Sequence, residues 1–104
     1  MLATDFFHHD MPLTRLGRKV KAIYKGQGTS FTALGVEGYL ILRHAMNQCS
    51  DPADRECINN KIRSTTNFTG LADKITIGPT GKAKRSLSIN SIKNGKTKFI
   101  VKVY

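Results

Sequence analysis

Three groups of residues in this 104-residue chain have types and spacings that could support chemistry, and the first two are an N-terminal cluster and a glycine-rich loop. His8, His9 and Asp10 are consecutive and could serve as acid–base groups or metal ligands. They lie in an N-terminal segment that we expect to be mobile, where neighbouring side chains rarely form a site. Residues 78–82, GPTGK, resemble a phosphate-binding loop but lack its spacing and the helix that follows it. Their Pro and Gly placement is typical of a β-turn instead.

The third group is the cysteine pair, Cys49 and Cys57, which lie between the end of one predicted helix and the first turn of the next. Their separation could close a disulfide in an oxidising compartment, or both thiols could remain free and half-buried, since sequence gives no Cα distance. A zinc site is not indicated, because the spacing is not C-x₂₋₄-C and His44 is the one imidazole nearby. No nucleophile–base arrangement is found among the serines. We therefore predict a protein that is not an enzyme and has no catalytic residue, metal or cofactor.

The charge balance is strongly basic, with 17 Lys and Arg against 7 Asp and Glu and a formal net charge of +10. Such an excess favours contact with polyanions, so a small basic nucleic-acid-binding module is the alternative function. The basic residues are spread over every predicted element, however, and the few aromatic residues are not interleaved with them as a base-stacking surface needs. The pattern itself does not favour a nucleic-acid partner.

The N-terminal residues 1–10 lack the basic and apolar regions of a signal peptide, and no run reaches 18 apolar residues. We expect either a cytosolic protein or a mature or truncated piece of a longer one.

Helical patterns fill the first two thirds of the chain. An apolar stripe at Leu16, Val20, Ile23 and Tyr24 predicts a first helix that is capped near Asp10 and ends at residues 26–28. A second helix should start at Thr29 or Ser30 and run to about Asn47, with apolar residues on more than one face. Such helices usually pack between other layers, and so short a chain has little material to cover this one. A third helix should start at Asp51 as N-cap, with Pro52 in its first turn.

The last third of the chain reads as β-structure. Residues 74–77, KITI, form a short β-branched run before the GPTG turn. Two alternating segments follow and meet at Asn94-Gly95, a pair that suits the positive φ angles of a type I′ turn and predicts a hairpin. Ile92 breaks the alternation and indicates a bulge or an edge. No linker or internal repeat divides the chain.

In this order, the segments resemble the C-terminal part of the type I periplasmic substrate-binding proteins of ABC transporters, most closely the branched-chain amino-acid (Leu/Ile/Val) type. The sequence FTALGVEGYLILRHA at 31–45 resembles the family's gYdAy.ll..A helix, and DP at 51–52 resembles the start of the next helix. The pattern f.G..g.i.f…G is matched by Phe68, Gly70, Ile75, Ile77 and Gly81. The pattern i..ikdGk…v is matched between residues 89 and 101. The resemblance extends from about residue 12 to the end.

The resemblance implies an α/β fold of which this chain carries the C-terminal piece: two or three helices, a short strand and an antiparallel β-hairpin. Residues 1–76 would be the late helices of one lobe, and residues 77–104 the strands and hairpin that cross the hinge. It further implies a periplasmic protein that closes on a small ligand, an amino acid, and presents it to an ABC permease. Since members are about three times longer, the isolated chain should bind ligand poorly and self-associate through its uncovered helix and unpaired strands.

Three residues follow from the resemblance as candidate ligand contacts. In similar proteins the N-terminal edge of the long helix faces the cleft between the lobes, which selects Ser30 and Phe31. Phe31 matches an aromatic residue that contacts the ligand side chain, although a helical Phe is also typical of a packed core. Glu37 is the third candidate, and its position also suits a charge on the helix surface. The family's Tyr-Asp pair in this helix is Val36-Glu37 here.

Overall fold

The structure is a computed structural model that describes residues 1–8, 10–25 and 28–104. The described part contains three helices and six strands: β1 (Leu2–Asp5), α1 (Arg15–Tyr24), α2 (Ser30–Asn47), α3 (Arg55–Arg63), β2 (Phe68–Thr69), β3 (Lys74–Ile77), β4 (Ala83–Lys84), β5 (Leu87–Lys93) and β6 (Lys96–Val103). The strands form two antiparallel sheets with the orders β1-β5-β6 and β2-β3-β4. This mixed α/β architecture confirms the predicted helices, the short strand and the hairpin. Interpretations of His9, and of a helix end at Gly26-Gln27, lie outside the described residues.

The helix starts are set by side-chain caps, two of which differ from the prediction. The N-cap of α1 is Thr14, whose hydroxyl accepts from the Gly17 amide at 3.1 Å, so the predicted cap near Asp10 is wrong. Asp54 caps α3 in place of Asp51, whose carboxylate instead accepts from the Ala53 amide in the preceding turn. Helix α2 has the predicted start, with a reciprocal capping box between Thr29 and residue 32. Residues of the described part form no helix long and apolar enough to cross a membrane.

The β5–β6 hairpin has the predicted turn, with φ of 53° at Asn94 and 73° at Gly95. Its bulge lies elsewhere than expected. Ile89 pairs with Val101 and Asn90 pairs with Phe99, so Ile100 is the extra residue and the irregularity is not at Ile92. Strand β5 is the central strand of its sheet, with β6 on one side and β1 on the other.

In the β1-β5-β6 sheet, the polar face is buried and the apolar face is partly exposed, which is the reverse of the usual arrangement. Ser88 is fully buried and Asn90 is 3% exposed, because the segment after β1 and the start of α2 cover their face. The opposite face carries Leu87, Ile89 and Val101, and Val101 is 44% exposed. An apolar sheet face that remains half exposed is typical of a surface that contacts other polypeptide.

Helix α2 also has a bare apolar face. Its inner side buries Ala33, Ile41 and Ala45, whereas Phe31, Tyr39 and Leu42 on the other side are 80%, 61% and 43% exposed. The chain is correspondingly elongated, since its Cα radius of gyration of 15.2 Å exceeds the value of about 13 Å typical of domains of this length. One hundred and four residues arranged in this way do not enclose α2.

Cys49 and Cys57 form a disulfide with a Cα–Cα distance of 6.1 Å. It joins the end of α2 to the first turn of α3. The bond restricts the loop between the two helices.

The glycines of the helices give a first prediction. A Cβ added at Gly35 or Gly38, on the bare face of α2, would meet nothing within 4 Å. Substitution by Ala there should stabilise the chain by about 0.5–1 kcal/mol per site, because Ala favours the helix. Gly17→Ala and Gly70→Ala are the controls and should destabilise, because a Cβ would collide with Leu71 or Glu37. Urea unfolding followed by circular dichroism measures both effects. Destabilisation by Gly35→Ala and Gly38→Ala would show that the chain itself covers this face.

The disulfide gives a second prediction. Reducing Cys49–Cys57 should lower the free energy of unfolding by about 2–3 kcal/mol, the value expected for a loop of this length. Urea unfolding with and without a phosphine reductant measures the difference. A variant with both cysteines replaced by Ala is the control and should not respond to the reductant. Equal midpoints for the natural chain in the two conditions would contradict the prediction.

Candidate ligand-binding site

A polar pocket of about 370 Å³ lies at the N-terminal end of α2. Three parts of the chain build it: the end of β1 with the residues after it, the start of α2, and the β5–β6 hairpin. Its lining residues are Asp5, Phe7, His8, Gly28, Thr29, Ser30, Phe31, Asn90 and Thr97. The structure thus brings two of the predicted ligand contacts, Ser30 and Phe31, into one pocket.

The start of α2 is exposed toward this pocket in a well-defined geometry. Thr29 accepts from the Thr32 amide, and the Thr32 hydroxyl accepts from the Thr29 amide at 3.2 Å, which fixes the first turn. Phe31 follows directly and is 80% exposed, so it does not pack in the core of this chain. Its ring is free for contact with a molecule that enters the pocket.

His8 forms a side wall of the pocket and is only 5% exposed. Its Nε2 lies 3.3 Å from the Thr97 hydroxyl, its Nδ1 accepts from the Asp10 amide at 3.1 Å, and its ring packs near Phe99. The N-terminal segment thereby contacts the hairpin through His8 as well as through β1. Sequence patterns missed it because a four-residue strand such as β1 has too few residues to show alternation.

Asn90 lies at the floor of the pocket in the middle of β5. It is 3% exposed, and its Oδ1 atom has no hydrogen-bond partner within the structure. Buried amide oxygens in native proteins are almost always paired, and leaving one unpaired costs about 1–3 kcal/mol. The unpaired oxygen is itself buried, so it lowers the stability of the fold and does not face a molecule in the pocket.

Glu37 lies elsewhere, on the inner side of α2 and outside the lining of this pocket. It is 2% exposed, so the interpretation of this residue as a charge on the helix surface is wrong. Its Oε2 accepts from the Leu71 amide at 2.9 Å, and its Oε1 is paired with the Arg85 guanidinium. A buried carboxylate needs such partners, because isolated charge is strongly destabilised away from water.

Arg85 connects this carboxylate to the segment that follows β1. Besides Glu37, its guanidinium donates to the Phe6 carbonyl at 3.3 Å and lies 5.9 Å from the centroid of the Phe6 ring. Phe6 follows β1 directly, and Arg85 lies between β4 and β5. Glu37 and Arg85 thus link α2, the loop at Leu71, the segment between β4 and β5, and the residue after β1.

A second ion pair joins the two sheets at their other end. Lys102 of β6 lies 3.4 Å from the Asp73 carboxylate and donates to the Ala72 carbonyl at the same distance. Hydrogen bonds from the Tyr104 hydroxyl and the Lys74 amide, together with the charge of Lys102, hold the pKa of Asp73 below its ordinary value against the opposing effect of burial. The C-terminal strand is therefore fixed to the loop before β3.

Within residues 1–8, 10–25 and 28–104, no group of three or more His, Cys, Asp or Glu side chains is placed to hold a metal ion. The pocket instead offers aromatic rings, hydroxyls, one carboxylate and one amide. Such a lining suits reversible binding of a small polar molecule with an apolar part. Contact of Ser30, Phe31 and Glu37 with a ligand stays a prediction.

Comparison with known proteins agrees with the sequence-based resemblance. The leucine-binding protein LivK from Thermotoga maritima has a solved structure that matches with a TM-score of 0.85 and 30% sequence identity. The match covers 99% of this chain and 30% of that chain, so this chain spans under a third of that protein's length. No protein-family model and no curated protein matches the chain. The fold and the resemblance are thus confirmed: this chain has the architecture of one part of a periplasmic binding protein of type I.

Proposed function

We propose that this chain is part of a substrate-binding protein of an ABC transporter that captures an amino acid for uptake. The observation that carries the proposal is the joint position of Ser30 and Phe31 at an open pocket, within a fold that matches part of a leucine-binding protein. Both residues are the ones that the family resemblance selects from sequence. The partner would be the permease of the transporter, and the role is binding rather than catalysis.

The two sheets suggest how the chain would serve such a protein. Helices α1 to α3 with β2 and β3 would belong to one lobe, and residues 77–104 would carry the strands that cross the hinge. Because β1 pairs with β5, residues 2–5 would lie in the crossing as well. The pocket between α2 and the hairpin would then be one wall of the cleft.

The isolated chain should bind its ligand weakly, because the opposite wall of the cleft would come from polypeptide beyond these residues. A periplasmic location is supported by the Cys49–Cys57 disulfide, since disulfides persist in oxidising compartments. The described residues provide little support for the alternative function, a nucleic-acid-binding module. A second, open groove beside β4 is lined by Lys74, Lys82, Lys84 and Arg85. Arg85, the most buried of these cations, is already paired with Glu37.

A chimera tests the proposal. The segment of the Thermotoga protein that this chain matches is replaced by this chain, and leucine binding is measured by titration calorimetry. We expect binding, and we expect Phe31→Ala to weaken it about tenfold or more, because a buried phenyl contributes about 1.5–3 kcal/mol.

Tyr39→Ala is the matched control, because it removes an aromatic side chain from the same helix outside the pocket. It should leave the affinity for leucine unchanged even if it lowers the melting temperature. A chimera that unfolds cooperatively but does not bind leucine, or one in which Phe31→Ala has no effect, would contradict the proposed function.

A further inference from the structure

The open groove beside β4 has a volume of about 1110 Å³ and shares no lining residue with the pocket at the start of α2. Among the described residues that line it, four carry a positive charge and one, Asp73, carries a carboxylate. The Asp73 carboxylate is paired with Lys102 at 3.4 Å, and Arg85 is paired with Glu37. The charge that remains for a partner of the groove is therefore positive.

Lys82 and Lys84 carry most of this available charge. Both side chains are exposed, and within the described part of the chain neither forms an ion pair. They are two positions apart on one strand, so they lie on the same face of it. A partner with negative charges at the same spacing would match them.

Strand β4 is an edge of the β2-β3-β4 sheet, and residues 82–84 line the groove. The Gly78 amide donates to the Lys82 carbonyl at 3.2 Å, and Lys84 is paired with Thr76. Because hydrogen bonds alternate along an antiparallel strand, the N–H and C=O groups of Ala83 point away from β3. Such an edge is a template for one more strand.

The two lysines restrict which strand can add to this edge. Another copy of this chain is disfavoured, because it has a formal net charge of +10 and like charges directly opposite each other are destabilising. A strand with carboxylates at alternate positions is favoured, because each carboxylate would lie opposite a lysine. The charge of the edge therefore selects an acidic partner.

The rest of the groove favours a polypeptide over a nucleic acid. Phe6, Leu34 and Leu87 are among its lining residues and offer contacts to apolar side chains. In a strand with alternating carboxylates, the intervening side chains point to the other face and can be apolar. A nucleic acid would match the lysines, but it has no backbone N–H and C=O groups in the spacing of a strand to pair with β4.

We propose that this groove binds an extended acidic segment of another polypeptide, which pairs antiparallel with the free edge of β4 and places carboxylates opposite Lys82 and Lys84. This surface is additional to the proposed capture of an amino acid. Antiparallel pairing continues the arrangement of the β2-β3-β4 sheet. In strand addition of this kind, main-chain hydrogen bonds provide affinity and side chains provide specificity.

The test uses the ¹⁵N-labelled chain and a short capped peptide in which glutamate alternates with valine. In an NMR titration, the peptide should shift the backbone amide signals of Lys82, Ala83 and Lys84 and leave those of Ser30 and Phe31 in place. With glutamates opposite the lysines, the valine amides would bond to Ala83. Methylation of the valine amide nitrogens should therefore abolish binding, whereas methylation of the glutamate amide nitrogens should preserve it.

Charge-reversal variants test the part played by the lysines. Lys82→Glu combined with Lys84→Glu should weaken binding of the peptide about tenfold or more, because two attractive pairs become repulsive. Lys93→Glu combined with Lys96→Glu is the matched control, since it changes the net charge equally at exposed positions beside the hairpin turn. The control should leave the affinity unchanged.

Three results would overturn the proposal. The two methylated peptides would bind equally well, the two double variants would lose affinity equally, or an oligothymidylate would bind the groove as tightly as the peptide at the same salt concentration. Because the groove and the pocket share no lining residue, failure of this test leaves the proposed function intact. A chimera that does not bind leucine would likewise leave the groove proposal intact.

Discussion

Helix α2 carries apolar side chains on two opposite faces, and the rest of the chain covers only one of them. The covered face is held by a buried charge. Glu37 accepts from the Leu71 amide and pairs with Arg85, and Arg85 reaches the Phe6 carbonyl at the end of β1. Removing either charge would leave the other unpaired in the interior, which is strongly destabilising. Because these contacts fix α2 relative to both sheets, the pocket at its N-terminus depends on them.

Several features have no explanation from contacts within this chain, and an uncovered face of α2 accounts for them. Two glycines in the middle of a helix lower its stability, and no neighbour within the structure requires Gly35 or Gly38. They lie between Phe31 and Leu42 on the exposed stripe, where glycine allows close approach of another backbone. The half-exposed apolar face of the β1-β5-β6 sheet points the same way. A chain that matches 30% of a longer protein would have such surfaces where the remaining polypeptide packs.

Local signals in the sequence predicted the helices and the hairpin. Contacts between residues far apart in the sequence determined which polar side chains are buried. Helix α2 and the hairpin were predictable because a capping Thr29 and the Asn94-Gly95 turn act within a few residues. The burial of Glu37 was not, because its partner Arg85 is 48 residues away. Nor was the buried polar face of β5, since the segment that covers it is brought there by β1, a strand too short to be predicted. In the pocket, the family resemblance selected Ser30 and Phe31, whereas Asp5, His8 and Asn90 required the pairing of β1 with β5.

The claim that one apolar face of α2 is uncovered is tested most directly by the fluorescence of the dye ANS with the folded chain, because ANS binds exposed apolar surface. We predict strong enhancement of ANS fluorescence for the natural chain below its urea transition. We also predict a large decrease when Tyr39 and Leu42, on the bare face of α2, are both replaced by Lys. A natively folded chain that gives no enhancement, or a doubly substituted chain with unchanged fluorescence, would show that this face is not available to other polypeptide and would contradict the account.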